Sequence, residues 1–182
     1  MRKIGIISDT HGSLERWEMA WEILKDTDFI IHCGDIFNHG PGNPIPEGYC
    51  PKKLLEKLNN LQKPIFVVKG NCDSEVDQTF LLVPFVSPYF LGIIENYRII
   101  ATHGHLFNDN FFETVKKWNI NFFISGHTHL WKIEKKENIV ILNPGSPSLP
   151  KNEPSCGLID FQNRKVSIFD IIKKTILKEE KF

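Results

Sequence analysis

No two of the four cysteines, Cys33, Cys50, Cys72 and Cys156, stand in a CxxC pair. The apolar run at the N-terminus is too short for a secretory signal. Together these features point to a reducing cytoplasm and away from a disulfide framework. No stretch approaches the roughly 18 apolar residues that a membrane-spanning helix needs. Net charge is absent too, with Lys+Arg and Asp+Glu both at 22, so the bulk positive field used in non-specific nucleic-acid binding is missing. No internal repeat and no break in composition divides the 182 residues. One domain over residues 1–182 is therefore expected, long enough to bury a full core.

What is present is a repeated arrangement. Ile4 to Ile7 runs into Ser8-Asp9-Thr10-His11-Gly12, and Phe29 to Ile31 into His32-Cys33-Gly34-Asp35. Ile65 to Val68 leads to Lys69-Gly70-Asn71-Cys72-Asp73, and Ile99 to Ala101 to Thr102-His103-Gly104-His105. Asn121 to Ile124 ends in Ser125-Gly126-His127-Thr128-His129. Five buried-strand signals thus stop within a few residues of an Asp, Asn or His. Parallel strands bring their C-terminal ends to one edge of a sheet, where α/β proteins bind ligands. The five clusters are therefore expected to converge. Two histidines two residues apart on a tight loop suit two adjacent metal ions better than one.

Between these clusters the spacing is that of an α/β chain. Ser13 caps an expected helix to about Lys25, with Leu14, Trp17, Trp21 and Leu24 on one face. Ile36 to Cys50 holds three glycines, three prolines and two asparagines, the composition of a long ordered loop. Beside Asp35, that loop is a candidate substrate loop. Pro51 suits the first turn of a helix to about Leu61. This β-α-β-α-β order argues for parallel strands. The second half changes to strand pairs: Tyr89–Ile94 and Tyr97–Thr102 about Glu95-Asn96, then, past a helix near Phe111 to Trp118, Leu130–Lys136, Ile139–Leu142, Gly157–Phe161 and Lys165–Ile172. The expected fold is α/β, two stacked mixed sheets flanked by helices. The tail from Lys173 to Phe182 fits either a last strand or a frayed end.

Asp9-x-His11, Gly34-Asp35, Gly70-Asn71, His103 and Gly126-His127-x-His129 resemble, in order, the five motifs of the calcineurin-like metallophosphoesterases. Asn38-His39-Gly40-Pro41, Pro46-Glu47-Gly48-Tyr49, Gly70 to Gln78 and Asn143-Pro144-Gly145-Ser146 are similar to the family's small bacterial phosphodiesterases of the YfcE type. The resemblance implies the same two-sheet fold and a phosphodiester hydrolase whose hydroxide bridges two divalent ions. It implies Asp9, His11 and His129 on one ion, Asn71, His103 and His127 on the second, and Asp35 bridging through both carboxylate oxygens. No catalytic side chain beyond the hydroxide is implied. Imidazole and oxygen ligands without thiolate suit Mn²⁺, Fe²⁺ or Zn²⁺, with Ni²⁺ also in range; family analogy favours Mn²⁺.

Asn38, His39, Cys72 and His105 are candidate substrate contacts. His32 reads as a core or supporting residue, Asp73 as a ligand-orienting or capping residue, and Trp17, Trp21 and Cys33 as packing. Where much of the superfamily has histidine after Gly-Asn, this chain has Cys72, a poorer hydrogen-bond donor that is mostly neutral near its usual pKa of about 8.5. That exchange favours a small phosphodiester over a dianionic monoester. The alternatives within the same fold are a phosphomonoesterase and a non-catalytic scaffold of the retromer-subunit kind. Aromatic content of 12% and the apolar run Phe80 to Phe90 lead to an expected homo-oligomer, a dimer.

Overall fold

Strand β1 (Lys3–Ile7) is buried along nearly its whole length, because both of its faces are covered. The computed structural model describes residues 2–182. Two sheets stack. The first has seven strands in the order β12-β11-β10-β1-β2-β3-β4, and the second has five, β5-β6-β7-β9-β8. Strands β2 (Phe29–His32), β3 (Ile65–Val68) and β4 (Phe85–Val86) lie parallel to β1, while on its other side β10 (Ser155–Asp160), β11 (Lys165–Asp170) and β12 (Thr175–Lys181) follow, each antiparallel to the strand before it. In the second sheet β5 (Tyr89–Ile94) and β6 (Tyr97–Thr102) form the expected hairpin. Next to β6 come β7 (Phe122–Ile124) and β9 (Ile139–Pro144), both parallel, and then the antiparallel edge strand β8 (Trp131–Lys136).

Residue alternation divides the apolar side chains into layers. Ile4, Ile6, Ile31 and Val68 face Ile99, Ala101, Phe122, Ile124 and Leu142 between the sheets. Ile7, Ile30, Ile65 and Val67 face the other way, onto helix α1 (Leu14–Leu24) and helix α2 (Pro51–Asn59). Trp17 and Leu24 of α1 are fully buried there, as their spacing requires. Ser13 is the N-cap of α1, accepting from the Arg16 N–H. On the far side, Val115 of helix α4 (Asp109–Lys117) packs with Ile100, Ile120 and Ile139. The result is the expected αββα sandwich.

Two elements were not read from the sequence. Helix α3 (Glu75–Phe80) forms from a capping box in which Ser74 and Asp77 satisfy each other's backbone N–H. Strand β4 is two residues long, too short to carry a period. The tail resolves as a strand: β12 pairs with β11 across a bulge at Ile168/Phe169, and Phe182 packs edge-on to Phe122 of the other sheet at 4.8 Å. The apolar run before β5 is mixed. Leu81 is buried, whereas Phe80 and Leu82 are exposed.

Candidate dinuclear metal site

The C-terminal ends of β1, β2, β3, β6 and β7 meet at one edge, and the five clusters converge there. The backbone at that edge is contorted. Five of the seven expected ligands have left-handed φ: Asp9 at 55°, His11 at 45°, Asp35 at 56°, His127 at 67° and His129 at 60°. Each such residue costs on the order of 1–3 kcal/mol, so the surrounding structure must hold it. Glycines allow the close approach. A Cβ on Gly70 would overlap the Asp35 carboxylate, and one on Gly126 would overlap Ser8 and stand 2.8 Å from Asp9 Oδ2.

Three histidines are aimed by the same device. His11 Nδ1 lies 2.7 Å from the Asn38 carbonyl, His103 Nδ1 2.7 Å from that of Cys33, and His129 Nδ1 2.7 Å from that of Leu149. A carbonyl accepts only, so each Nδ1 carries the proton and each Nε2 is turned inward. His11 Nε2 and His129 Nε2 then face each other at 3.2 Å. Asp9 Oδ1 sits beside them, 3.3 Å from His129 Nε2, 3.8 Å from His11 Nε2 and 4.0 Å from His103 Nε2. That oxygen is buried and has no hydrogen-bond partner among the described residues, while Asp9 Oδ2 accepts from the His127 N–H. Converging lone pairs and an unpartnered carboxylate oxygen are the donor set of a cation site.

A second half-site adjoins the first. Asp35 Oδ2 is 3.4 Å from His103 Nε2 and 3.9 Å from His11 Nε2. His103 Nε2 also meets Asn71 Oδ1 at 3.0 Å. Burial pushes the His103 imidazole down, but Asp35 and Asp9 outweigh it and raise its pKa to about 9. Burial likewise opposes the Asp35 charge, yet His103 holds that carboxyl well below the usual range. His129 is raised by Asp9 against its burial, and His11 is lowered by burial. A field that holds a proton on a buried imidazole would also attract divalent cations. His127 stands at the exposed rim, its ring 5.1 Å from that of His103.

The two Asp35 oxygens differ in surroundings: Oδ1 accepts from the Cys72 N–H at 2.8 Å, while Oδ2 faces His103 and His11.

A match to the calcineurin-like phosphoesterase superfamily domain covers residues 2–164. The chain belongs to the calcineurin-like phosphoesterase superfamily. It is 39% identical over 184 residues to phosphodiesterase YfcE of Escherichia coli strain K12, covering 98% of this chain and 97% of that one. The solved structure of YfcE, a phosphoesterase from E. coli, aligns with a TM-score of 0.86 at 36% identity over 98% of each chain. Vacuolar protein sorting 29 from Cryptosporidium parvum shares the fold, at a TM-score of 0.70 and 19% identity over 100% of this chain and 98% of that one. A divalent-metal centre is what this superfamily implies, and the Asp/His cluster fits one. Asp9, His11 and His129, and Asp9, Asp35 and His103, each place donor atoms within 4.8 Å of one another.

Several residues outside the expected ligand set brace this superfamily site. Asp73 is buried, and its carboxylate accepts from the N–H groups of Asp35, Ile36 and Gly70, each at 2.8 Å. It therefore clamps the Asp35 turn to the Asn71 turn. Burial raises its pKa to about 6 against these three bonds. Ser146 and Ser148 hydroxyls donate to the Asp9 carbonyl at 2.7 and 2.9 Å. Asn143 donates to the Gly126 carbonyl at 2.9 Å. The Asn143 to Ser146 segment is thus a brace for two of the ligand turns.

The substrate candidates stand around the same edge. Asn38 gives its carbonyl to His11 and its side chain to Asp77 at 3.2 Å. His39 packs edge-on to Tyr49 at 5.4 Å. Cys72 lies under Gly40, where a Cβ would stand 3.0 Å from its Sγ. The thiol is also within reach of His11 and Asp35, but burial and the Asp35 charge push its pKa up to about 12. The His105 ring is 5.2 Å from that of His103 and 6.1 Å from that of His127.

His32 is fully buried beneath the ligands. Its Nδ1 accepts from the Gly34 N–H at 3.1 Å, so its Nε2 donates to Thr10 Oγ1 at 3.0 Å. Thr10 Oγ1 in turn donates to the Ile36 carbonyl at 2.9 Å. This chain of bonds ties the Asp9–His11 turn to the Asp35 turn. Burial lowers the His32 pKa to about 3, which keeps it neutral. His32→Phe keeps a ring but removes both bonds, and is expected to weaken divalent-metal binding by about 10–100-fold. Calorimetric titration checks this; unchanged affinity would mean that His32 is packing alone.

Proposed function

We propose that this chain is a phosphodiesterase acting on a small diester, with two Mn²⁺ ions held by the edge cluster. The observation that carries the reading is Asp9 Oδ1, buried without a partner at 3.3–4.0 Å from three inward-facing imidazole nitrogens. Asp9, His11 and His129 would hold one ion, Asn71, His103 and His127 the other, and Asp35 would be shared between them. When bound, the pair of ions supplies a hydroxide at neutral pH and polarises the phosphoryl oxygen. His39, Cys72 and His105 line the substrate side, while Asn38 contributes by fixing His11. Residues 2–182 act as one domain, because β10 to β12 complete the sheet that carries Asp9 and Asp35. The name of YfcE supports the diester assignment. A purely scaffolding role is not favoured, since every expected ligand position is filled.

The deciding experiment compares bis(p-nitrophenyl) phosphate with p-nitrophenyl phosphate on the Mn²⁺-loaded protein. The diester is expected to be the faster substrate; a faster monoester would replace this reading with a phosphomonoesterase. Cys72 carries part of that preference, because a neutral thiol offers no cationic contact to a dianion. Cys72→His should raise monoesterase relative to diesterase activity by about tenfold, the effect of roughly one charge-assisted hydrogen bond. Metal content by elemental analysis should stay constant, and a fall would make Cys72 a ligand.

Among the described residues no helix is long and apolar enough to cross a membrane, and the four cysteines are free thiols. A reducing cytoplasm suits such thiols. We expect a dimer, since Leu82 before β4 and Leu91 and Ile93 on β5 remain exposed. Light scattering at tens of micromolar should give twice the chain mass; a monomeric mass would end that expectation.

A further inference from the structure

The outer face of the five-stranded sheet carries a groove that the ligand set leaves unused. It encloses about 490 Å³ between that face and α4, and its upper end is formed by Gly104 and the loop from Ser125 to Thr128. It therefore opens beside His127. Phe123 and Ile141 form an apolar floor, with Phe107 and Phe112 as one wall. The other wall is polar. Ile133 of β8 is buried inward, so Lys132, Glu134 and Lys136 alternate outward and line the groove. Lys132 pairs with Glu134, and Lys136 Nζ lies 5.1 Å above the Phe112 ring. Lys132 is opposite Asn143, toward the ligand edge, and Lys136 opposite Ile139 at the far end. At about 3.3 Å per residue, the wall is roughly 13 Å long.

We propose that this groove binds one ester group of the diester, a nucleoside-like group in which a short polar linker joins a flat heterocycle to the phosphate. The inference rests on the phosphodiesterase reading above. A cavity of this size lies within the range of small-molecule sites, about 300–1,000 Å³. The phenylalanines favour a flat ring, which stacks on them face or edge. The Lys132–Glu134 pair narrows the choice further. Lysine only donates and an ionised glutamate only accepts, so the pair matches a ring edge that carries both an acceptor and a donor. An alkyl ester would meet neither group. Length agrees. A ring level with Phe123 and Glu134 would lie about two residues' rise, roughly 7 Å, from the level of Ser125 and Lys132, where the groove opens beside His127.

Thymidine 5′-(p-nitrophenyl phosphate) and methyl p-nitrophenyl phosphate share a leaving group and differ in the group offered to the groove. On the Mn²⁺-loaded protein the thymidine diester is expected to have a KM about tenfold lower. Lys132→Met and Glu134→Gln, both at solvent-facing positions of an edge strand, should reduce that advantage to about twofold. Calorimetry with thymidine 5′-monophosphate and methyl phosphate should show the same ratio in binding, independent of turnover. Equal KM values and equal affinities in the unmodified protein would overturn the proposal, as would an advantage that neither variant changes. If neither diester is hydrolysed but the monophosphate keeps its Lys132-dependent advantage, the groove stands and the diesterase reading falls.

Discussion

Protein stripped of divalent metal is expected to lose all measurable hydrolysis of bis(p-nitrophenyl) phosphate, and added Mn²⁺ to restore it. The reason lies in what remains without the ions. His11 and His129 present inward lone pairs, and Asp9 and Asp35 are carboxylates; no side chain in the cluster is arranged to make water a strong nucleophile. Metal binding lowers the pKa of water from 15.7 to about 7, a change no imidazole in this cluster reproduces. The fall should therefore reach the detection limit rather than a fraction of the starting rate. Dialysis against chelator followed by elemental analysis checks this. Full turnover with no metal detected would sink the dinuclear mechanism.

Asp35→Asn is expected to cost at least about 10³-fold in kcat/KM, beyond the 10²–10³ typical of one lost electrostatic contact, whereas His105→Ala should cost about 10–100-fold. Asparagine is a fair test of charge alone. It tolerates the left-handed backbone at φ 56° better than other non-glycine residues, and its amide oxygen can still accept from the Cys72 N–H. What disappears is the negative charge on the oxygen that lies 3.4 Å from His103 Nε2 and 3.9 Å from His11 Nε2. Both half-sites lose a charged ligand at once. His105 is not among the expected ligands, so its loss leaves both half-sites in place. Comparable mild losses from the two changes would mean that Asp35 does not bridge. Thermal unfolding of the Asp35 variant, monitored beside its kinetics, separates lost charge from lost fold.

The strands that deliver the ligands were readable because their signals are local. An apolar run of four residues, a turn glycine and a polar cluster all fall within about ten positions, and a buried parallel strand needs little more. Helices α1 and α2 announced themselves through Ser13 and Pro51 in the same way. From these elements alone followed the αββα class and the shared edge, while the ligand set came from the resemblance of the five motifs. Local information stops where the contacts become distant. Asp9 is braced by Ser146, 137 positions away, and Asp35 by Asp73, 38 away; nothing in either short segment states the pairing. The tail Thr175–Lys181 has no pattern of its own and becomes a strand only because β11 offers an unpaired edge. The resemblance implies a bridging Asp35, but only the packing shows that its Oδ1 accepts from the Cys72 N–H while Oδ2 faces His103 and His11. The groove beside His127 is the same kind of fact. Phe112 and Lys132 lie on different elements, and only the packing of α4 against the second sheet puts them on opposite walls.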